Sequence, residues 1–287
     1  MDFSFTAEQD ELRREARAFL EANPAPSFEQ LAELGWVGVA SSDEFTFVDA
    51  AVIFEELGRA LAPGPFLFNE VAGQGGDEIW SVEVGGLVPC LDQVDRVLTE
   101  DMRAVAAEGE ALDTVDETRK LGRLAGNGGE TVDGDWETVR LRLLAALALE
   151  AVGVGQKALE LAIAYAGERQ QFGKPIGVYQ AVSHKLADTY TELELARSLA
   201  YWAAWCVGED DEQAAVACAA AKSQAADAAV AACERSIQVH GGTGFTWEHV
   251  LHRYYKRALG ISSFAGTSAE HRAAVADAIL PVAQSVR

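Results

Sequence analysis

The sequence predicts a mainly α-helical protein with a small β domain in its middle. Apolar residues recur at helical spacing from Thr6 to about Gly73, and again from Trp136 onwards. Between these stretches, short apolar or alternating runs are separated by Gly, Pro and Asp, which is typical of strands and turns. We therefore predict an N-terminal helical domain over 1–74, a β domain over 75–135 and a C-terminal helical bundle domain over 136–287.

The N-terminal helices have clear start and stop signals. Thr6 and Ser27 are each followed three residues later by glutamine, the capping-box pattern that satisfies backbone amides in the first turn of a helix. A third helix is predicted over roughly 46–61. It should end at Pro63-Gly64-Pro65, because proline cannot continue a helix and glycine suits a turn.

In the middle domain we predict strands over 79–84, 87–91, 96–99 and 104–107. Strands are usually about 5–6 residues long, so the domain has room for roughly four to six of them.

The last half of the chain is rich in alanine and predicts five helices. Small residues, among them Gly153 and Gly155, would let these helices approach closely, as in a four-helix bundle. The predicted helices cover about 137–166, 177–207, 212–239, 247–259 and 269–279.

Composition excludes several classes of protein. The net charge of −22 argues against binding to nucleic acid or to an anionic membrane surface, because a basic footprint is missing. The histidines have no convincing zinc spacing, so no metal is predicted.

The N-terminus lacks the apolar core of a secretory signal, and the cysteines form no Cys-x-x-Cys pair. We therefore expect a cytoplasmic protein with reduced cysteines in its core, at Cys90, Cys206, Cys218 and Cys233.

Two elements have the chemistry of a pyrophosphate site. Arg169 offers a planar fork of donors that matches a phosphate, and the adjacent Gly241 and Gly242 permit close approach of backbone amides to an anion. Each feature has a simpler explanation. The arginine could pair with Glu168 on the surface, and the glycines could cap a helix.

Taken together, these elements resemble two motifs of the acyl-CoA dehydrogenase family of flavoproteins, R-x-x-F-G-x-x-I/L-x-x-x-Q and Q-x-x-G-G-x-G-F. The matching residues are Arg169, Phe172, Gly173, Ile176, Gln180, Gln238, Gly241, Gly242, Gly244 and Phe245. The resemblance covers the chain except its middle and implies bound FAD. The residues that it assigns to the cofactor are Arg169, Phe172, Gln180, Gln238, Val239, His240, Gly241, Gly242 and Thr267. His240 could face the adenosine or be a buried structural residue.

The resemblance also reveals a missing catalytic group. Family members of the medium-chain type read Glu-Gly-Thr near the C-terminus, and the glutamate removes the α-proton of the acyl-CoA. Here Ala265 stands in the position of that glutamate, and Leu143 occupies the alternative position of the base on an earlier helix. General base catalysis is commonly worth ~10²–10⁴-fold, so we predict no catalytic residue in this chain. Three carboxylates could replace the base, although solvated or ion-paired roles are the more natural interpretation. They are Glu150, Glu168 and Glu248.

Two further departures from the family concern its flavin and subunit contacts. The family's Glu-Pro-x-Ala-Gly-Ser and Trp-Ile-Thr/Ser segments, which line the flavin, have no counterpart here, so the β domain is a reduced one. The family's Arg-Asp pair after the glycine turn is replaced by Lys256-Arg257. Exchange of Asp for Arg reverses a charge near the subunit contact, which predicts a different partner surface.

The resemblance thus implies a helper subunit in an FAD-dependent acyl-CoA dehydrogenase of α₂β₂ composition. A longer partner of the same family would supply the catalytic glutamate and most of the acyl-CoA pocket, and FAD would be shared across the subunit interface. The segment GFTWEHVLHRYYKRA resembles the actinobacterial branch that acts on steroid side-chain CoA esters. Two alternatives stay open: a self-sufficient homo-oligomeric flavoenzyme that uses another carboxylate, and a flavin-free structural scaffold.

Overall fold

The structure is a computed structural model that describes residues 4–42, 44–126 and 128–280. It confirms the predicted fold class, because helices dominate both ends of the chain and the larger sheets lie in the middle. The described residues of the N-terminal part form four helices: α1 (Ala7–Ala22), α2 (Phe28–Glu33), α3 (Phe47–Ala60) and α4 (Phe66–Ala72).

Both predicted capping boxes are confirmed. The hydroxyls of Thr6 and Ser27 accept hydrogen bonds from the backbone amides three residues on, and the glutamine side chains there accept from the capping residues' own amides. Helix α3 ends at Ala60 and is capped by Leu61, which adopts a left-handed conformation with φ of 52°. The fourth helix, α4, was not expected, because it follows the Pro-Gly-Pro turn directly.

The middle of the chain contains seven strands among the described residues, so the expectation of four to six is wrong. They are β1 (Trp80–Val82), β2 (Val88–Pro89), β3 (Arg96–Leu98), β4 (Arg103–Ala106), β5 (Gly109–Ala111), β6 (Leu121–Leu124) and β7 (Glu130–Thr131). One sheet has the order β1-β3-β4-β7 and the other β2-β6-β5. All residues of β5 and β7 are exposed, so neither strand has the apolar alternation that marks a strand in sequence.

The C-terminal half is a helical bundle, as predicted. Helices α5, α6 and α7 pack against one another, and α8 packs against α5 and α7. A short hairpin of β8 and β9 joins α5 to α6. The bounds are α5 (Trp136–Glu168), β8 (Gln170–Gln171), β9 (Lys174–Pro175), α6 (Gln180–Gly208), α7 (Ala214–His240), α8 (Leu251–Ser263) and α9 (Ser268–Ile279).

Helices α3 and α5 cross in unusually close contact. A β-carbon on Gly58 would lie 2.1 Å from the carbonyl oxygen of Glu150, and one on Gly153 would lie 1.9 Å from that of Glu55. Only glycine fits at such distances, which confirms the predicted packing role of Gly153. The crossing fixes the middle of α5, and with it the buried Glu150, in the centre of the molecule.

Within the described residues, no helix is long and apolar enough to cross a membrane. The same residues contain no group of three or more His, Cys, Asp or Glu side chains that could hold a metal ion. All four cysteines are buried and free of disulfides, in agreement with their predicted place in the core.

Candidate functional site

The two elements predicted to hold a pyrophosphate lie at the same end of the bundle. Arg169 follows the last turn of α5, and its carbonyl oxygen accepts a 2.8 Å hydrogen bond from the amide of Ile176, which closes the hairpin that leads into α6 at Gln180. One turn earlier on α5, Tyr165 stacks on His240 with ring centroids 4.4 Å apart. The end of α7, which carries Gln238, therefore lies beside the end of α5.

The polar side chains of this end are open to a ligand. Arg169, Gln180 and Gln238 are exposed, and none of these side chains has a hydrogen bond or ion pair with any residue that the structure describes. The suggested pairing of Arg169 with Glu168 is therefore not seen. Phe172 is 93% exposed and has a left-handed φ of 52°. We call Arg169, Phe172, Gln180, Gln238, Gly241 and Gly242 the phosphate-side surface.

The glycines of this surface have two roles. Gly241 caps α7 with a positive φ of 63°, and its amide donates to the carbonyls of Gln238 and Ile237. The helix-cap explanation therefore holds for Gly241. A β-carbon added to either Gly241 or Gly242 would meet no atom within 4 Å, so a ligand can approach the backbone closely. An unpaired guanidinium and open backbone at the same end of the bundle are suited to the pyrophosphate of FAD.

His240 differs from its neighbours because its ring points into the bundle. It is 6% exposed, its Nδ1 lies 2.8 Å from the carbonyl oxygen of Ser236, and its ring centroid is 4.5 Å from that of His249. These contacts favour the structural alternative over a contact with adenosine. Val239 is half-buried beside it.

The position of the missing base lies on the turn between α8 and α9. Ala265 has a left-handed φ of 57°, and its carbonyl oxygen lies 3.0 Å from Nε2 of His271. The fully buried ammonium of Lys222, on α7, donates to the carbonyl oxygens of Ile261 at 2.8 Å and of Gly266 at 3.3 Å. The turn is thus held firmly by polar contacts, while its side chain at 265 has no atom that accepts a proton.

Thr267 does not join the phosphate-side surface. Its hydroxyl forms the capping box of α9, donating to Oε2 of Glu270 at 2.8 Å and accepting from the Glu270 amide. Lys222, which contacts this turn, lies sixteen positions before Gln238 on α7. At 1.5 Å per residue, the turn is ~24 Å along the helix from the phosphate-side surface. The structure therefore separates Thr267 and Ala265 from the other predicted residues.

Lys222 makes the stability of the protein depend on pH. Burial lowers the pKa of its ammonium to about 8, from an ordinary value of 10.5. Between these values the unfolded chain binds more protons, so the contribution of Lys222 to stability rises with pH. We expect wild type to gain about 3 kcal/mol over Lys222→Met from pH 7 to pH 10.5, at 1.36 kcal/mol per pKa unit. Urea unfolding of both proteins at the two pH values measures this gain. Titration of the cysteines cancels in the comparison, and an unchanged difference would contradict the prediction.

None of the three replacement carboxylates is placed to act as the base. Glu150 is 1% exposed and accepts two hydrogen bonds from Arg119, at 2.7 and 2.5 Å, and one from Arg257 at 2.5 Å. Burial opposes its ionisation, but these two cations hold its pKa below the ordinary value. A carboxylate so paired is a weak base, which confirms its ion-paired interpretation. Glu168 and Glu248 are exposed, in agreement with the solvated interpretation.

The prediction that Arg257 changes the partner surface is wrong. Its side chain is 1% exposed and donates to Asp116 at 2.7 Å, to Glu150, and to the carbonyl oxygen of Thr118 at 3.0 Å. The arginine balances two buried carboxylates, one of which comes from the β domain. Only Lys256 lies near the surface, with its ammonium 4.5 Å from the ring centroid of Trp247.

A cavity of about 300 Å³ lies between α8 and the segment that joins β5 to β6. Its apolar lining comes from Val115, Leu121, Leu259, Ile261 and Phe264, and Arg119 and Arg257 also line it. Pockets for small ligands have volumes of ~300–1,000 Å³, so this cavity is at the small end of that range. The sequence offered no sign of the ion pairs beside it.

Helices on both sides of a small β domain form the architecture that the resemblance to the acyl-CoA dehydrogenase family predicts. A family model described as "Acyl-CoA dehydrogenase, C-terminal domain" matches residues 142–280. Acyl-CoA dehydrogenase IpdE2 of Mycolicibacterium smegmatis is 30% identical, over 92% of this chain and 96% of the relative. IpdE2 of Mycobacterium tuberculosis is 34% identical, over 74% and 71%. The chain belongs to the acyl-CoA dehydrogenase family, as its motifs indicated.

Solved structures show the same fold. A variant of the Tcur3481-Tcur3483 steroid ACAD superposes with a TM-score of 0.83 at 23% identity, over 94% of this chain and 97% of that one. The ChsE4-ChsE5 complex from Mycobacterium tuberculosis gives a TM-score of 0.81 at 23% identity, over 98% and 100%.

Proposed function

We propose that this chain is the base-lacking subunit of a heteromeric FAD-dependent acyl-CoA dehydrogenase of α₂β₂ composition. A longer family member would supply the catalytic glutamate and most of the acyl-CoA pocket. The observation that carries this proposal is the contrast between the two ends of the molecule. The phosphate-side surface is open and unpaired, whereas the position of the base is an alanine beside a small cavity.

The reaction explains why this contrast matters. Desaturation between Cα and Cβ of a thioester needs a base for the α-proton and an acceptor for the hydride that leaves Cβ, and FAD supplies the acceptor when it is bound. The methyl group of Ala265 cannot take a proton. Arg169 would instead neutralise the pyrophosphate, while Gln180 and Gln238 would add hydrogen bonds. This chain would therefore bind and orient the cofactor for chemistry that its partner performs.

The similar solved structures support the proposal that the partner is a second, different subunit and that the substrate is a steroid CoA ester. Two of the similar structures are assemblies of two different proteins, the ChsE4-ChsE5 complex and the Tcur3481-Tcur3483 steroid ACAD. We extend this to the present chain and propose a longer acyl-CoA dehydrogenase subunit as partner, with a steroid side-chain CoA ester as a candidate substrate.

The flavin content of the purified proteins tests the proposal. We expect one FAD per heterodimer when the chain is co-expressed with the product of an adjacent acyl-CoA dehydrogenase gene, because only one of the two clefts can hold a reacting ring. Absorbance and protein quantification give the ratio. Two FAD per heterodimer would contradict the proposal. A yellow homomer that acyl-CoA reduces would support a self-sufficient flavoenzyme, and a colourless stable homomer would support a scaffold.

Arg169 offers a second test. Replacing it with alanine removes a charge-assisted hydrogen bond to the pyrophosphate, and such bonds contribute about 1.5–3 kcal/mol. We expect Arg169→Ala to assemble normally but to bind FAD roughly 10- to 100-fold more weakly, measured by loss of flavin on dilution. The matched control is Arg14→Ala, an exposed arginine on α1. Unchanged affinity in Arg169→Ala would show that this surface does not face the cofactor.

A further inference from the structure

We propose that the segment 112–120, which joins β5 to β6, is a strap that closes the cavity beside Phe264 and is held shut by a buried ionic latch. The latch rests on contacts within this chain alone. The consequence for flavin binding rests on the proposed function and deepens it. The strap would occupy this chain's own cleft, so that the flavin ring could not.

The strap has no apolar anchor. Asp116 is the single buried residue in the range 111–120, and its neighbour Val115 is 70% exposed. A surface loop with no buried apolar side chain gains little from the hydrophobic effect, so its position depends on its polar contacts. The middle of the strap should therefore open more readily when those contacts are lost.

The buried polar contacts form a compact latch of two cations and two anions, while Glu117 with Lys256 at 3.5 Å and Lys120 with Asp92 at 3.2 Å form two more exposed pairs. From the strap, Asp116 accepts from Nε of Arg257 at 2.7 Å, and Arg119 donates twice to Glu150. Arg257 on α8 also donates to Glu150 on α5 and to the hydroxyl of Thr118 at 2.6 Å. Side-chain exposures are 1% for Arg257, 2% for Glu150, 8% for Asp116 and 12% for Arg119. The charges balance, and they tie the β domain to two helices of the bundle.

We expect the loss of any one of these four charges to open the latch. Buried ion pairs are favourable only when all charges are matched, and removal of one partner leaves an uncompensated buried charge. Since Arg119 and Asp116 are the strap's charges in this buried network, loss of Glu150 or Arg257 should destabilise the closed position of the strap. The guanidinium of Arg119, which also lies 4.8 Å from the ring centroid of Phe68, would move with it.

The closed strap limits what the cavity can hold. Thr114, Val115, Asp116 and Arg119 form one wall of the 300 Å³ space, and α8 forms the other. With the strap shut, a flavin ring and an acyl thioester together have no room beside Phe264. A partner would then have to provide the reacting cleft, as the proposed function requires.

Hydrogen exchange of the full-length chain, in the assembly in which it purifies, tests the latch. Informative amides are those of Thr118 and Arg119, which donate to Asp116 within the strap. We expect Glu150→Gln to speed exchange in peptides covering 112–120 by roughly 10- to 100-fold, as for loss of a charged hydrogen bond. The control is Glu137→Gln, which breaks an exposed pair with Arg140 on the same helix and should leave the strap unchanged.

A second variant keeps the test decisive if Glu150→Gln fails to fold. Asp116→Asn removes the charge on the strap itself and changes no residue of the helices, and the same local increase is expected. Unchanged exchange in Asp116→Asn would overturn the proposal. An equal increase in exchange throughout the protein would also overturn it, because the network would then stabilise the whole core and not the strap in particular. The readout does not involve flavin, so its failure leaves the proposed subunit role standing.

Discussion

Replacing Arg257 with methionine should lower the free energy of unfolding by about 3–5 kcal/mol, the usual effect of breaking a buried ion pair from one side. Methionine keeps much of the length of the side chain but leaves Asp116 without its cation and Glu150 with only Arg119. Both carboxylates are buried, so water cannot compensate for the lost charge. Urea unfolding followed by circular dichroism measures the change.

Two controls separate the buried network from charge in general. Arg140→Met breaks an exposed pair with Glu137 on α5 and should cost no more than about 1 kcal/mol. Replacing Asp116, Arg119, Glu150 and Arg257 together with apolar residues of similar size should restore stability, since buried networks often contribute little against well-packed apolar side chains. A small effect of Arg257→Met itself would show that water enters the network.

The parts of the fold that sequence could predict are those decided locally. The capping boxes at Thr6 and Ser27 depend on residues three positions apart, and the long Ala-rich helices carry their own periodicity. Strands β5 and β7 could not be predicted, because their residues are exposed and their pairing depends on partners elsewhere in the chain. The phosphate-side residues of each element could be proposed from sequence because each motif is local in the chain.

The residues beside the cavity show where sequence reasoning stops. Arg257 lies 141 positions from Asp116 and 107 from Glu150, so no local pattern connects them. Read alone, a Lys-Arg pair on an amphipathic helix indicates a surface, and that interpretation was wrong for Arg257. Lys222 is a similar case: a lone lysine among alanines of α7 that proves to be buried and to hold the turn of Ala265.

The alanine at 265 leads to the sharpest functional test. Ala265→Glu should not create strong activity, although it restores the family's residue in a turn that is already held by Lys222 and His271. Its neighbour in the chain, Phe264, lines a cavity of only about 300 Å³ beside the strap, so we expect no ordered flavin ring and acyl chain there for a carboxylate to act upon. Base and positioning act as a unit, so the base alone gives little.

Removing the corresponding glutamate of the partner should instead reduce turnover by ~10²–10⁴-fold, the usual contribution of a general base. The assay is bleaching of the flavin by a panel of acyl-CoAs that includes steroid side-chain thioesters and straight chains, with Ala265→Gln as the matched control for Ala265→Glu. If the wild-type chain, free of any partner, bleached its flavin at ordinary enzymatic rates, the helper-subunit proposal would fail. The base would then have to be sought at Glu150, released from its two arginines, or at the exposed Glu248.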